Sequence, residues 1–550
     1  MGGFLSHLTP EVNTDILDAS CGPLRGNVYR HDNNKIVDGY LGIPYAEPPI
    51  GELRFKKPLA AKHWTETRDC TKYGPCCPPS GAYAALMDKL GCEYNEDNCL
   101  TLNVFSPRSS SSDPGCGLPV MVFIHGGGYE LGSSSGLHDY SLTGTLPLKD
   151  VILVTINYRV GILGFLTTGD DICRGNMGLW DQTMALKWVH NHIKSFGGNP
   201  DNVTLIGESA GSTSADLLSL SPHSNELFNR VILMSGTSHC NFALNTVTGA
   251  VEIVELYAKS HGYTGNNSEC LLDWYRTLPT KQFREVEKVN RPIGTVCFAP
   301  CFDSDFFPKP LDELRRDAPK KEILVGVGEH EGLTMYLAFP IENDVLGGFK
   351  KVLDELLREN QMNNVEEVKR IVLDSYTKEV DLADNAQLKL RIVNFLSDVT
   401  FNCGTLNTAQ CATKYGNDVY LYSFEYCNPD ALNDPTTSLL PFVAATHGTD
   451  LVYLLGQGVI TTFTPNETDL KMIGKMGTIF SNFAKYGNPN GDGVVEWEKY
   501  SIDKPDRYYQ ITMPDCQMKN GFQNGRLDIL DDINNKYGKK YQHIIHGNNI

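Results

Sequence analysis

No run in this sequence approaches the roughly 18 apolar residues of a membrane-spanning helix. No C-x-x-C pair is present either; Cys297 and Cys301 lie four apart with no second pair nearby. These absences argue against a transmembrane segment and against a zinc site. Sixteen cysteines in 550 residues are too dilute for a disulfide scaffold. Basic charge is scarce as well: 48 Lys and Arg against 66 Asp and Glu give a formal net charge of −18. Sequence-independent binding to nucleic acid needs clustered Lys and Arg, whereas Arg315-Arg316 and Lys320-Lys321 are short pairs. Nucleic acid is therefore not an expected partner, and no metal or cofactor is expected.

The N-terminal "MGGFLSHLTPEV" lacks the charged start and long apolar core of a secretory signal. The C-terminal "HGNNI" is neither an ER-retention nor a peroxisomal tail. The expectation is a soluble, cytoplasmic protein. Met1-Gly2-Gly3-Phe4-Leu5-Ser6 fits M-G-x-x-x-S/T, the pattern for myristoylation of Gly2. A single myristoyl chain gives only weak, reversible membrane binding. Gly3–Leu17 has no basic residue except His7, and no cysteine precedes Cys21. At most a transient membrane-associated fraction is expected.

What the sequence does contain is an ordinary globular balance, 41% hydrophobic and 21% charged. Val120–His125, Val151–Arg159, Val203–Ser209, Arg230–Ser235, Ile323–Val327 and Val419–Phe424 are β-branched, mostly continuous apolar runs. Such runs imply strands covered on both faces. Asn27–Ala46 reads instead as an antiparallel hairpin at one edge. Helical patterns occupy Leu179–Phe196, broken by Asn199-Pro200, and then Leu346–Leu357, Val365–Tyr376 and Leu388–Leu396. Strand and helix alternate, which predicts an α/β fold with a mostly parallel central sheet. No repeat or linker divides the chain. Residues with chemical potential stretch from His125 to His447, so a single domain spanning 1–550 is expected, with helices after Ile341 as a cap.

"VTLIGESAG" (Val203–Gly211) places Ser209 in a Gly-x-Ser-x-Gly segment between a strand and a helix. This is the pattern of a nucleophile elbow, a sharp turn that exposes the serine hydroxyl at the end of a sheet. "MVFIHGGGYELGS" (Met121–Ser133) ends another strand in three successive glycines. Such a turn can aim backbone N–H groups at one point, as an oxyanion hole requires. Gly127, Gly128 and Ala210 are the expected donors. A serine nucleophile also needs a base and an orienting acid, in the chain order serine, acid, histidine. Of the histidines after Ser209, His447 in "VAATHGTDLVY" is best placed. For the acid, Glu331 and Glu329 both follow the Ile323–Val327 run, and spacing alone does not choose between them.

These segments, together with "GYLGIPYAEPPIGELRFKKP" (Gly39–Pro58), "DNCLTLNVFSP" (Asp97–Pro107), "NYRVGILGFL" (Asn157–Leu166), "GNMGLWDQTMALKWVHNHIKSFGGNPDNVTLIGESAG" (Gly175–Gly211) and "FAKYGNPNG" (Phe483–Gly491), resemble type-B carboxylesterases. This is the carboxylesterase/cholinesterase family of the α/β-hydrolase fold, and the resemblance covers nearly the whole chain. It implies a serine esterase acting through an acyl-enzyme. Acyl transfer to another acceptor is a close variant, and a non-catalytic binding or adhesion relative is the rival of a different class. The resemblance selects Glu331 as the acid through "EHEG" and His447 through its "HG" segment, completing a triad with Ser209. It also implies a disulfide from Cys99 to Cys76 or Cys77. "RPIGTVCFAPCFDSDFFP" (Arg291–Pro308) resembles the acyl-pocket segment. It sets Gly294 and Val296 where cholinesterases of short-acyl preference carry phenylalanines, which implies room for longer acyl groups.

The chain also departs from the family pattern. Asn98 stands where Asp is usual, and Cys270 lacks the nearby partner of a second disulfide, which fits a reducing compartment. The sequons at Asn202, Asn266 and Asn466 are expected to be unused. The choline-binding tryptophan has no counterpart; the nearest aromatics are Tyr83 and Tyr94. The implied activity is therefore carboxylesterase-like rather than cholinesterase.

Overall fold

The computed structural model describes residues 12–537 apart from 32–33, 82–92, 109–116, 136, 138, 289–295, 340, 342, 358–362, 430–431, 434–438, 456–461, 464 and 492–495. Gly2, Tyr83 and Gly294 lie outside the described residues.

Twelve described strands form a single sheet. They are β1 (Val12–Asn13), β2 (Asn27–Arg30), β3 (Ile36–Pro44), β4 (Thr101–Pro107), β5 (Leu118–Ile124), β6 (Ile152–Ile156), β7 (Gly198–Glu208), β8 (Arg230–Met234), β9 (Glu322–Gly328), β10 (Asp418–Phe424), β11 (Tyr508–Ile511) and β12 (Gln517–Lys519). Their order across the sheet is β1-β2-β3-β4-β6-β5-β7-β8-β9-β10-β11-β12. From β6 to β11 every neighbouring pair is parallel. Antiparallel pairs close the sheet at both ends.

The continuous apolar runs are explained by what covers the sheet. Along β5, Val120, Val122 and Ile124 enter one buried cluster, while Met121 and Phe123 enter another. Val231 and Leu233 of β8 separate from Ile232 and Met234 in the same way. Successive side chains point to opposite faces, so both faces are buried and every position must be apolar. The helices include α1 (Met177–His192), α2 (Ala210–Leu220), α3 (Leu311–Asp317), α4 (Val345–Leu356), α5 (Val365–Tyr376), α6 (Asn385–Ser397), α7 (Cys403–Lys414) and α8 (Glu467–Tyr486). Among the described residues, no helix is long and apolar enough to cross a membrane.

One boundary differs from the sequence reading. Asn199-Pro200 does not break the helix; both residues belong to β7. Helix α1 ends at His192, a 3-10 turn follows over Ile193–Phe196, and Gly197 closes it with φ 83. The proline sits where the β5–β7 register shifts between Gly198 and Val203, a place where its missing N–H is tolerated. Of the two partners left open for Cys99, the disulfide joins Cys77, with Cα atoms 4.9 Å apart.

Candidate active site

Parallel registration brings the relevant strand ends to one edge. Ile124 of β5 pairs with Gly207 of β7, and Glu208 of β7 pairs with Met234 of β8. The turns after all three strands therefore meet. Strand β7 stops at Glu208 and α2 starts at Ala210, so Ser209 makes the whole reversal, at φ 56 and ψ −126. A left-handed φ is rare for serine and costs energy. The neighbouring glycines are forced by close approach. A Cβ on Gly207 would stand 2.3 Å from the Gly211 carbonyl carbon, and one on Gly211 would stand 2.0 Å from the Ile124 oxygen.

The glycine turn after β5 lies against this elbow, since a Cβ on Gly126 would stand 3.0 Å from the Ser209 Cβ. Gly127 and Gly128 have φ 107 and 60. Among the described residues, the N–H groups of Gly127, Gly128 and Ala210 donate to no protein acceptor. His125 supports the turn and carries no charge, because burial lowers its pKa to about 4. Its Nδ1–H donates to the Gly126 carbonyl at 2.9 Å, and its ring stacks on Tyr158.

On the other side of Ser209, the turn after β9 presents two glutamates. Glu331 is fully buried. Its Oε2 accepts from His447 Nδ1 at 2.7 Å, and its Oε1 accepts from Ser235 Oγ and from the Gly328 N–H, each at 2.5 Å. Glu329 is partly exposed, and its Oε1 lies 3.7 Å from Nε2 of His330, which burial keeps neutral. Burial and the Glu425 charge raise Glu329 to about 7. Geometry therefore sets Glu331, not Glu329, on His447.

His447 Nε2 lies 3.3 Å from Oε1 of Glu208. Among the described residues, no hydrogen bond joins the Ser209 hydroxyl to His447. Catalytic hydrogen bonds commonly tighten only with substrate in place. Burial opposes a charge on the imidazole, but Glu208 and Glu331 outweigh it and raise the pKa above the usual histidine value. Behind them, burial and then the Glu331 and Glu208 charges lift Asp450 to about 7. Its Oδ2 accepts from Tyr422 at 2.9 Å.

Val296 borders the glycine turn: a Cβ on Gly128 would touch Val296 Cγ1 at 3.4 Å. Gly294, its expected companion, lies outside the described residues. Glu208, Ser235 and Asp450 are absent from the sequence reading. Glu208 occupies a variable position of Gly-x-Ser-x-Gly, where motif logic looks past it. Tyr94, one of the aromatics nearest the missing choline-binding tryptophan, has the Arg284 guanidinium over its ring at 4.8 Å. Elsewhere, His239, Asp312 and Cys411 bring one donor atom each within 4.8 Å of the others. The guanidinium of Arg315 acts on Cys411 there, an unfavourable setting for a cation.

The sequence model described as "Carboxylesterase family" matches residues 13–530. "Esterase cest-33" of Caenorhabditis elegans is 49% identical over 550 residues, covering 100% of this chain and 99% of that protein. "Fatty acyl-CoA hydrolase precursor, medium chain" of Anas platyrhynchos is 30% identical, covering 92% of this chain and 89% of its own. "Acylcarnitine hydrolase" of Mus musculus is 31% identical, covering 92% and 88%.

Proposed function

Since the chain belongs to the carboxylesterase family, and is a serine hydrolase of carboxylic esters, we propose that Ser209, His447 and Glu331 are its nucleophile, base and orienting acid. The observation that carries this reading is the 2.7 Å bond from His447 Nδ1 to the buried Glu331 beside the strained turn of Ser209. Glu331 accepts a hydrogen bond from Nδ1–H, which leaves the Nε2 lone pair of neutral His447 to take the Ser209 proton as Oγ attacks the ester carbonyl. The imidazolium that forms is held between Glu331 and Glu208. The N–H groups of Gly127, Gly128 and Ala210 receive the developing oxyanion. His447 then returns the proton to the leaving alcohol, and water, activated in the same way, releases the acid.

The acyl group faces Val296, a smaller residue than phenylalanine, and the expected substrates carry acyl chains of butyryl length or longer. The two vertebrate relatives are named for hydrolysis of medium-chain fatty acyl-CoA and of acylcarnitine; both names support water as the acceptor, and the first supports a longer acyl group. Labelling with a fluorophosphonate, with the adduct mapped by peptide mass, tests the nucleophile. Turnover of p-nitrophenyl acetate, butyrate and octanoate tests the pocket. An adduct elsewhere than Ser209 overturns the assignment.

A further inference from the structure

Glu130 is an acidic residue where little charge belongs. It lies in the turn that supplies the oxyanion N–H groups and is only 4% exposed. Its backbone N–H donates to the Gly127 carbonyl at 3.1 Å, which closes that turn. Its backbone carbonyl accepts from the Ser80 N–H at 2.8 Å. Its side chain reaches across 167 residues of sequence, where Oε1 accepts from the Cys297 N–H at 2.9 Å. The other carboxylate oxygen, Oε2, lies 2.8 Å from the position a Gly81 Cβ would take. One residue thus ties together the oxyanion turn, the segment at Ser80-Gly81 and the segment at Val296-Cys297.

The third tie matters most. Cys297 directly follows Val296, the residue that borders Gly128. The same segment is gripped from outside by Asn245, whose Nδ2 donates to the Cys297 carbonyl at 2.9 Å and to the Val296 carbonyl at 3.3 Å. Asn245 holds the segment to the body of the protein, whereas Glu130 holds it to the oxyanion turn. A buried backbone N–H needs an acceptor, but a water or a carbonyl from any neighbour would serve that purpose. Here the acceptor comes from the turn that fixes where the ester carbonyl sits. The Glu130 side chain thus links the turn that receives the carbonyl directly to the segment that carries Val296.

We propose that Glu130 is a specificity-determining positioning residue: its carboxylate registers the Val296 wall against the oxyanion glycines and so sets the acyl length the enzyme prefers. This rests on the reading of Ser209 and the oxyanion turn given above. Without the tie, the wall recedes from Gly128, and long acyl groups gain relative to acetyl.

The test compares Glu130→Leu, Glu130→Asp and Glu130→Gln with wild type, using p-nitrophenyl acetate and octanoate. Fluorophosphonate titration counts competent sites in each preparation. Glu130→Leu removes the acceptor, Glu130→Asp withdraws it by one methylene, and Glu130→Gln retains it. The octanoate-to-acetate ratio of kcat/KM should rise at least about fivefold in Glu130→Leu, a modest part of the roughly 10–200-fold that one methylene is worth in a fitted pocket. Glu130→Asp should rise in the same direction, and Glu130→Gln should stay near wild type. Stoichiometric labelling with an unchanged or lowered ratio in Glu130→Leu overturns the proposal, as does an equal shift in Glu130→Gln. If Glu130→Leu does not fold, Glu130→Asp decides by the same criterion. Failure of the underlying reading is distinct, because the wild type itself would then not label at Ser209.

Discussion

Nε2 of His447, the atom proposed to take the serine proton, stands 3.3 Å from the carboxylate of Glu208, the residue directly before Ser209. This negative charge raises the histidine pKa, with opposite effects at two stages. It stabilises the imidazolium formed in the transition state. It also favours a protonated, inactive imidazole in the free enzyme.

The pH profile should report that balance. In the wild type, the acid limb of kcat/KM should lie above the ordinary histidine value of about 6.5, because only neutral His447 acts as base. Glu208→Gln removes a negative charge, destabilises the imidazolium and lowers its pKa. The limb should move to lower pH by at least about one unit, equivalent to about 1.4 kcal/mol, while the plateau falls. A limb that stays in place would separate Glu208 from His447.

Ser209→Ala should lower hydrolysis by roughly a thousandfold or more, because the covalent route is lost. Circular dichroism should show the fold retained. Retention of more than a few per cent of the rate, by about the same arithmetic, would remove Ser209 from the role.

Glu331→Gln should reduce kcat by about a hundredfold or more, since an amide no longer fixes the imidazole tautomer. Glu329→Gln should stay close to wild type, because Glu329 is not bonded to His447. Steady-state kinetics of the pair decides between them; equal losses would contradict the geometry.

Val296→Phe adds a ring beside Gly128 and should shift preference back toward acetyl esters by about tenfold in the octanoate-to-acetate ratio, the scale of a methylene in a fitted pocket. The profile across p-nitrophenyl esters measures this directly. An unchanged profile would place the acyl group elsewhere.

The parts legible in the sequence are those whose chemistry is local. Continuous apolar runs marked the parallel centre of the sheet, because both faces of those strands are covered. Strand β4 escaped because Asn103 interrupts its pattern. In the fold that side chain is buried and satisfied by the Gly42 N–H, Ser134 and Thr155, a solution drawn from three distant segments. The same holds at the site. Ser209 and the glycine turn announce themselves by spacing, whereas Ser235 serves through a bond to Glu331 96 residues away. Likewise, nothing near Glu130 in sequence reveals that its acceptor meets Cys297. Choosing between Glu329 and Glu331 needed either a resemblance or the fold, since both follow the same strand.

The left-handed backbone at Ser209 has a further consequence for heat resistance. A non-glycine residue held in such a conformation costs on the order of 1–3 kcal/mol, and glycine would relieve much of it. Ser209→Gly should therefore melt higher than Ser209→Ala, although both are inactive. The wild-type enzyme carries a permanent deficit in thermal stability at the one position where a hydroxyl must stand clear of the sheet. Without the demand for a serine hydroxyl at this turn, glycine would be the stabilising choice there.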